Sequence, residues 1–256
     1  MFIGALPLLW RLSILLLAGV AAGIANGVAG GGTFITFPTL LGLGIPALQA
    51  NLSTSVGVVP SYLGSLRVFR RQLAPHKRLI RSLAPSCVLG ATTGCALLLN
   101  GSASTFRSIV PWLIGAGTVL FATSPLITKR LAHIEHDHPA RRWTLYVGIF
   151  LVSVYGGYFG AGLGILLLAV MALALPLEIH ELQGLRNALS IVINVNAAII
   201  FIVHGHLAVQ AVVMLLIGTL IGGWLGALLI VRLSPTLVRI LIILIGAATT
   251  IKLAVS

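Results

Sequence analysis

The sequence predicts an all-α membrane protein that crosses the bilayer several times and is built from two similar halves. Of the 256 residues, 58% are hydrophobic and only 8% are charged, whereas a soluble domain carries about 25% charged residues. The hydrophobic residues form runs long enough to span a bilayer. Glycine-rich landmarks recur in the same order in both halves. These features exclude a cytosolic enzyme and a secreted domain.

Ten apolar elements follow one another along the chain. A membrane helix needs roughly 20 apolar residues, and eight runs approach that length: Leu12–Val28, Leu48–Leu66, Leu79–Leu99, Ile109–Ile127, Thr144–Tyr158, Leu185–Val203, Leu207–Val231 and Leu237–Val255. The runs Thr33–Leu43 and Gly164–Pro176 are shorter, and each begins at or just after a glycine cluster. The polar stretch 128–142 divides the chain. We expect a first membrane repeat over residues 1–127, a cytoplasmic linker loop over 128–142 and a second membrane repeat over 143–256.

Landmarks in the two halves lie between about 130 and 134 positions apart. Gly90 and Gly94 correspond to Gly222 and Gly226, and the segment 50–55 corresponds to 183–188. Each half holds five elements, an odd number, so the second half enters the membrane from the opposite side. The sequence therefore predicts two inverted five-element repeats, a plan common among secondary transporters.

The basic residues predict the orientation, because cytoplasmic segments of membrane proteins are enriched in Lys and Arg. With the N-terminus outside, only three of the sixteen basic residues fall outside, namely Arg11, Arg107 and Lys252. We therefore expect both termini outside a plasma (inner) membrane. The net charge of +12 then matches the anionic inner surface of the bilayer and does not indicate nucleic acid as a partner.

Two glycine clusters are candidate anion-binding elements: Gly30, Gly31 and Gly32 with Thr33, and Gly162 with Gly164. Consecutive glycines leave backbone amides unobstructed, and the N-terminus of the following helix adds free N–H donors and a partial positive charge. The alternative is close helix packing through small residues. Because the helix after the first cluster is too short to span, we favour glycine-rich broken or re-entrant helices that meet near the membrane midplane. Irregular backbone at that depth must line a cavity or be buried in protein.

Polar side chains within apolar spans complete the candidate substrate site: Asn51, Ser53, Thr54, Ser55, Arg186, Asn187, Ser190 and Asn194. The first four suit an oxygen-rich ligand, and N-capping of their own helix is the alternative. An arginine at membrane depth costs ~2.5–3.5 kcal/mol, and its guanidinium is suited to hold an oxyanion. The alternatives to substrate binding by Arg186 are an ion pair with Glu178 or Glu181, or extension of its side chain to the inner interface. Ser190 and Asn194 continue the polar stripe along the same helix face.

Enzyme signatures are absent from the sequence. There is no Gly-x-Ser-x-Gly motif and no phosphate-binding loop ending in Gly-Lys-Ser/Thr. The His-rich stretch 133–138 fits no structural zinc spacing and is expected to be a solvated loop. The sequence predicts no catalytic residue, no metal site and no cofactor.

The ordered set of glycines 30–32, Pro38, Ala50, the pair Thr54-Ser55, a basic loop and glycines 90 and 94 resembles the sulfite exporter TauE/SafE family of membrane transporters. The resemblance extends from about Gly23 to Val255. In the second half this chain has Val170 or Met171 where the family has a proline, and Asn187-Ala188 where it has Thr-Ser. The resemblance implies a plasma-membrane carrier for sulfur-containing oxyanions or organosulfonates, often acting as an exporter.

The resulting hypothesis is a carrier that binds a small anion near the midplane and exposes it alternately to the two sides of the membrane. The second hypothesis is an integral-membrane assembly or scaffold protein that uses the glycine clusters only to pack helices. The expected partners are a small anionic substrate and the lipid bilayer. The sequence leaves open a homo-oligomer, the identity of the anion and the coupling ion.

Overall fold

A computed structural model describes residues 7–28, 30–62, 73–131, 141–229 and 235–255. Within these residues the chain forms no β-strand and ten α-helices: α1 (Leu8–Val28), α2 (Thr33–Gly42), α3 (Ala47–Gly57), α4 (Lys77–Asn100), α5 (Ala103–Leu131), α6 (Arg141–Tyr158), α7 (Leu163–Ala174), α8 (Ile179–His204), α9 (Val209–Leu229) and α10 (Pro235–Val255). A 3-10 turn at Ala74–His76 leads into α4. The all-helical part of the predicted fold class is confirmed for the described residues.

Six described segments are long and apolar enough to cross a membrane: Leu8–Gly27, Ala74–Asn100, Ala103–Leu126, His180–His204, Val209–Gly226 and Thr236–Ala254. Three apolar helices are shorter, namely α2, α7 and the part of α6 from Trp143 to Tyr158. The ten residues of α2 extend about 15 Å, which is half of a hydrocarbon core of about 30 Å. The chain is therefore a multi-pass membrane protein that also contains helices too short to cross.

The outer surface of the helices is suited to lipid. Trp10, Trp112, Trp143 and Trp224 are between 62% and 78% exposed, and many leucines and isoleucines are also exposed. Large apolar side chains on the surface of a soluble monomer would form an unusually large hydrophobic patch. In a bilayer the same surface contacts acyl chains.

Two helix pairs join the halves, and both are packed through glycine. Glycines of one helix lie against the backbone of its partner: Gly222 against Val20 and Gly226 against Ile24 in the α9–α1 pair, and Gly90 against Phe150 and Gly94 against Val154 in the α4–α6 pair. Residue numbers rise together in each pair, so the paired helices are parallel. Small residues allow membrane helices to approach this closely. The first helix of each half thus packs on the fourth helix of the other half.

The fifth helices of the two halves, α5 and α10, also pack on each other. Gly115 lies against Thr250, and Gly246 lies against Thr118. Residue numbers rise on one helix as they fall on the other, so the two helices run in opposite directions where they touch.

An aromatic cluster joins the starts of the two short helices. Phe34 of α2 packs on Phe121 with ring centroids 5.8 Å apart, and Phe37 meets Phe159 edge-on at 5.5 Å. All four rings are buried. Aromatic pairs of this geometry contribute about 0.5–1.5 kcal/mol beyond their buried area. Because Phe159 lies just before α7, the cluster positions both short helices relative to each other.

Two boundaries differ from the sequence prediction. The span expected over Leu48–Leu66 is interrupted, because α3 ends at Gly57 and a turn at Val58 precedes a further helical stretch at 59–62. Glycine has a low helix propensity, and Pro60 has no backbone N–H to donate. The linker is shorter than 128–142, since α5 continues to Leu131 and α6 begins at Arg141. The histidine-rich stretch 133–138 lies outside the described residues.

Candidate functional site

Arg186 of α8 lies between the starts of the two short helices. A methyl group built on Gly30 would stand 3.5 Å from Nη1 of Arg186, and one built on Gly164 would stand 3.2 Å from its Cδ. The arginine is 8% exposed. The two glycine clusters, which are about 130 positions apart in sequence, therefore converge on one buried cation.

No acidic side chain pairs with Arg186 among the described residues. The Glu181 carboxylate instead contacts Nε2 of His76 at 2.8 Å, and Glu178 caps the start of α8 together with Glu181. The hydrogen bond that the structure describes for Arg186 runs from its Nη2 to Oδ1 of Asn187, at 3.2 Å. The predicted alternatives of an ion pair with Glu178 or Glu181, or of extension to the interface, are not what the described geometry shows. The guanidinium retains donor capacity for a ligand.

Three buried polar atoms near α3 and α8 have no hydrogen-bond partner among the described residues: Oδ1 of Asn51, Oγ1 of Thr54 and Nδ2 of Asn187. An unpaired buried polar group costs about 1–3 kcal/mol. Asn187 is also the residue that accepts from Arg186, so its free amide N–H lies next to the cation. Together the Arg186 and Asn187 side chains present several N–H donors in one place.

The backbone turns at the two glycine clusters follow the same pattern. The amide of Gly30 donates to Ala25 O at 3.0 Å, and the amide of Gly160 donates to Tyr155 O at 3.2 Å. Gly30 and Gly160 have φ values of +78° and +77°, in the left-handed region that glycine adopts without steric cost. The turns therefore end α1 and α6 in the same way, and each places the start of a short helix beside Arg186.

Different side chains hold the two turns in place. In the first, Oδ1 of Asn26 accepts from the amide of Gly32 at 2.7 Å, and its Nδ2 donates to Oγ of Ser61 at 2.9 Å. In the second, the Tyr155 hydroxyl donates to Ala161 O at 2.6 Å. The Gly32 amide is thus already bonded within the protein. Sequence reasoning did not identify Asn26 or Tyr155, and their positions shortly before the glycines were the available signal.

Three further predicted site residues, Gly31, Thr33 and Gly162, lie at the glycine turns. Gly31 packs against Ile242 and Phe121, where a side chain would collide. Thr33 begins α2 beside it. Gly162, with φ of +77°, precedes α7 and forms part of the second turn.

Two of the predicted hydroxyls on α3 bond elsewhere. Ser53 Oγ accepts from the Ala208 amide at 2.9 Å, and Ser55 Oγ donates to Asn51 O at 2.9 Å. The Asn51 side chain donates to Tyr158 O at 2.9 Å. Ser53 therefore tethers the segment before α9, whereas the Thr54 hydroxyl has no partner within the part of the chain that the structure describes.

On α8 the polar stripe continues away from Arg186 and meets a residue that sequence reasoning missed. Nδ2 of Asn194 donates to Ser190 O at 2.8 Å. The Tyr62 side chain lies near the side chains of Asn194 and Arg186. Tyr62 is 9% exposed. Its hydroxyl within the expected apolar span Leu48–Leu66 was the signal for it.

Comparison with known proteins gives one family and several relatives. Residues 15–253 match the family described as Sulfite exporter TauE/SafE. The "Probable membrane transporter protein" of Haemophilus influenzae is 24% identical over 245 residues, which cover 94% of each chain. The "Probable membrane transporter protein YfcA" of Escherichia coli is 24% identical over 253 residues, which cover 96% of this chain and 90% of that protein. No solved structure matches this chain significantly.

Proposed function

The chain belongs to the sulfite exporter TauE/SafE family of membrane transporters, and we propose that it carries a small sulfur oxyanion or organosulfonate across the plasma membrane. The observation that carries this proposal is the position of Arg186. It is a buried cation between two glycine-rich turns, with no acidic partner among the described residues.

An anion would remove the electrostatic penalty at this site. A buried charge without a partner is strongly unfavourable, and the guanidinium can donate two parallel hydrogen bonds to an oxyanion. The unpaired Nδ2 of Asn187 and Oγ1 of Thr54 add a donor and a hydroxyl. Sulfite and sulfonate groups offer several oxygen acceptors to such a set of donors.

The architecture proposed for transport is a pair of inverted repeats with re-entrant helices. The matched fifth helices, α5 and α10, run in opposite directions where they touch, which supports inversion. The short helices α2 and α7 have 10 and 12 residues, so each reaches about halfway through a bilayer. Their starts meet at Arg186, which supports a site near the midplane.

The proposed orientation has the N-terminus outside. Arg11 donates to Leu43 O at 3.0 Å, so the start of α1 and the end of α2 lie at one end of the molecule. Lys77, Arg78 and Arg81 lie at the start of α4, next to the contact between His76 and Glu181 at the start of α8. The positive-inside rule places that more basic end in the cytoplasm.

Alternating access would follow from rocking of the α1–α9 pair against the α4–α6 pair around Arg186. The glycine-packed pairs α1–α9 and α4–α6 each join a helix of one half to a helix of the other, so each pair can move as a unit. The family description names an exporter, and we propose the same direction here.

The test of this function is anion flux in proteoliposomes. Liposomes that contain the purified protein are loaded with radiolabelled sulfite or sulfoacetate. Efflux is compared for wild type, Arg186→Gln, Arg186→Lys and the control Arg81→Gln, which removes an exposed cation of α4. We expect Arg186→Gln to lose at least tenfold in flux, since hydrogen bonds to charged groups contribute about 1.5–3 kcal/mol. We expect Arg81→Gln to match wild type.

Binding is measured separately by thermal unfolding with added anion. A ligand at 100 times its Kd stabilises the folded protein by about 2.7 kcal/mol. Stabilisation of wild type but not of Arg186→Gln would support the carrier. Equal flux in wild type and Arg186→Gln would refute the proposed site, and no stabilisation by any sulfur oxyanion would favour the scaffold hypothesis.

A further inference from the structure

A second basic feature lies at the end of the molecule that carries Arg11. A cavity of about 710 Å³ opens between the end of α2, the start of α3, the start of α5 and the end of α10. Arg107 and Lys252 line it together with the hydroxyl-bearing Ser104 and Thr249. No acidic residue is among the residues that line it.

The two cations come from different helices and are free to bind. Arg107 lies in the second turn of α5 and Lys252 in the last turn of α10. Neither forms a hydrogen bond or an ion pair with any residue that the structure describes. The antiparallel packing of α5 and α10 places both on the same cavity. The third cation of this end, Arg11, is already bonded to Leu43 O.

The position of these cations is unusual for a membrane protein. Only three of the sixteen basic residues fall on the proposed outer side, as the positive-inside rule requires. Two of these three line this one cavity.

Most of the other residues that line the cavity are apolar. Leu41, Val110 and Leu253 line it, and so does Pro38 in the middle of α2. Pro38 follows Thr33 by five residues, about 8 Å along the helix that begins at the first glycine turn. The volume is in the range of pockets for organic ligands, ~300–1,000 Å³, and exceeds what an inorganic anion needs.

We propose that this cavity is an outer anion site, separate from Arg186, for an organic anion with an oxyanion head and a short apolar tail. Arg107 and Lys252 bind the head, and the side chains of Leu41, Val110 and Leu253 surround the tail. Its role as the outer vestibule of the transport path rests on the proposed function, whereas the binding itself does not. Arg107 and Lys252 can bind a sulfonate or a phosphate group equally. The experiments therefore have to distinguish a free organic anion from the headgroup of an acidic lipid.

The binding experiment uses the full chain in phosphatidylcholine nanodiscs, titrated with 1-hexanesulfonate and with methanesulfonate. The variants are Arg107→Gln/Lys252→Gln, Arg186→Gln and the control Arg81→Gln. We expect the double variant to bind hexanesulfonate about tenfold more weakly, since two partly exposed charge contacts contribute about 1 kcal/mol or somewhat more. Arg81→Gln should keep this affinity, whereas Arg186→Gln should lose only binding at the central site and keep the binding that depends on Arg107 and Lys252. Unchanged affinity in the double variant overturns the proposal.

A cavity-filling variant tests the tail-binding part. Gly42 lines the cavity, and a Cβ at this position meets no atom within 4 Å, so Gly42→Leu fills space without a collision. We expect it to weaken hexanesulfonate binding and to leave methanesulfonate binding unchanged. Equal effects on both ligands, or on neither, overturn the assignment of the apolar side chains to the tail.

A further experiment with an acidic lipid shows whether the cavity binds a free anion or a lipid headgroup. Native mass spectrometry of the protein from phosphatidylglycerol nanodiscs shows whether a lipid is retained and whether the double variant loses it. Retention of phosphatidylglycerol that depends on Arg107 and Lys252, without hexanesulfonate binding, overturns the free-anion site in favour of a lipid site. If Arg186→Gln loses anion flux but keeps the hexanesulfonate binding that depends on Arg107 and Lys252, the two sites are separate. Each proposal can then be refuted without the other.

Discussion

Thr54 and Asn187 occupy corresponding positions in the two halves, and each holds a buried polar atom without a partner among the described residues. Both follow a leucine by two positions, in the segments Leu52-Ser53-Thr54 and Leu185-Arg186-Asn187. Proteins rarely leave buried polar groups unpaired. The recurrence of this feature at positions that the sequence aligns is consistent with the proposed ligand site on α3 and α8.

Thr54→Val should therefore separate stability from binding. The substitution keeps the shape and removes an unpaired hydroxyl, whose burial costs about 1–3 kcal/mol. We expect the ligand-free protein to be as stable as wild type or more stable, and its anion affinity to fall several-fold. The measurement is the unfolding temperature with and without sulfite.

The control for this variant is Thr219→Val. The Thr219 hydroxyl is also buried but donates to Gly57 O at 2.6 Å, so its removal leaves a carbonyl without that donor. We expect this variant to lose about 1 kcal/mol of stability and to keep its anion affinity. If Thr54→Val is destabilised as Thr219→Val is, the Thr54 hydroxyl has a structural partner and not a ligand.

Asn26→Ala should disorder the first glycine turn. The Asn26 side chain bonds both the Gly32 amide and the Ser61 hydroxyl, and its loss leaves a buried amide unpaired at a cost of about 1–3 kcal/mol. Tyr155→Phe removes one bond, to Ala161 O, and should cost less, about 1 kcal/mol. Both variants are compared by unfolding temperature and by sulfite flux. Wild-type stability in Asn26→Ala would contradict the role assigned to this residue.

Gly94→Ala should prevent correct packing of α4 on α6. A Cβ at Gly94 would overlap Val154 O and approach the Tyr158 amide to 2.9 Å, and backbone atoms cannot move aside as a side chain can. We expect poor expression or a stability loss of about 1–3 kcal/mol, the range for overpacking. Gly42→Ala is the matched control, because its Cβ meets open space and alanine favours a helix by about 1 kcal/mol over glycine. Equal stability of the two variants would refute close contact between α4 and α6.

Cysteine labelling should establish the orientation. Cys87 and Cys95 are buried and form no disulfide, so the wild-type protein should react poorly with a membrane-impermeant maleimide. Ser104→Cys at the start of α5 should be labelled on intact cells, and Arg81→Cys on α4 only after the cells are permeabilised. The reverse pattern would place the N-terminus in the cytoplasm.

Much of the fold was predictable because the signals were local. Apolar runs and glycine clusters are read directly along the chain, and in the described residues most of them correspond to helices or helix ends. The interruption after Gly57 was missed, since the apolar composition of Leu48–Leu66 conceals a break in the backbone. Tyr62 was missed for a related reason, because a tyrosine in an apolar span is usually a packing residue.

Sequence alone determined that this protein is a bundle of membrane helices and that Arg186 and the glycine clusters are its unusual features. Only the tertiary structure decided which polar groups meet. Ser53 bonds to the amide of Ala208, 155 positions away, while its neighbour Thr54 stays unpaired. Helical periodicity defines the face on which a side chain lies, but the residue opposite that face depends on how helices from distant parts of the chain cross.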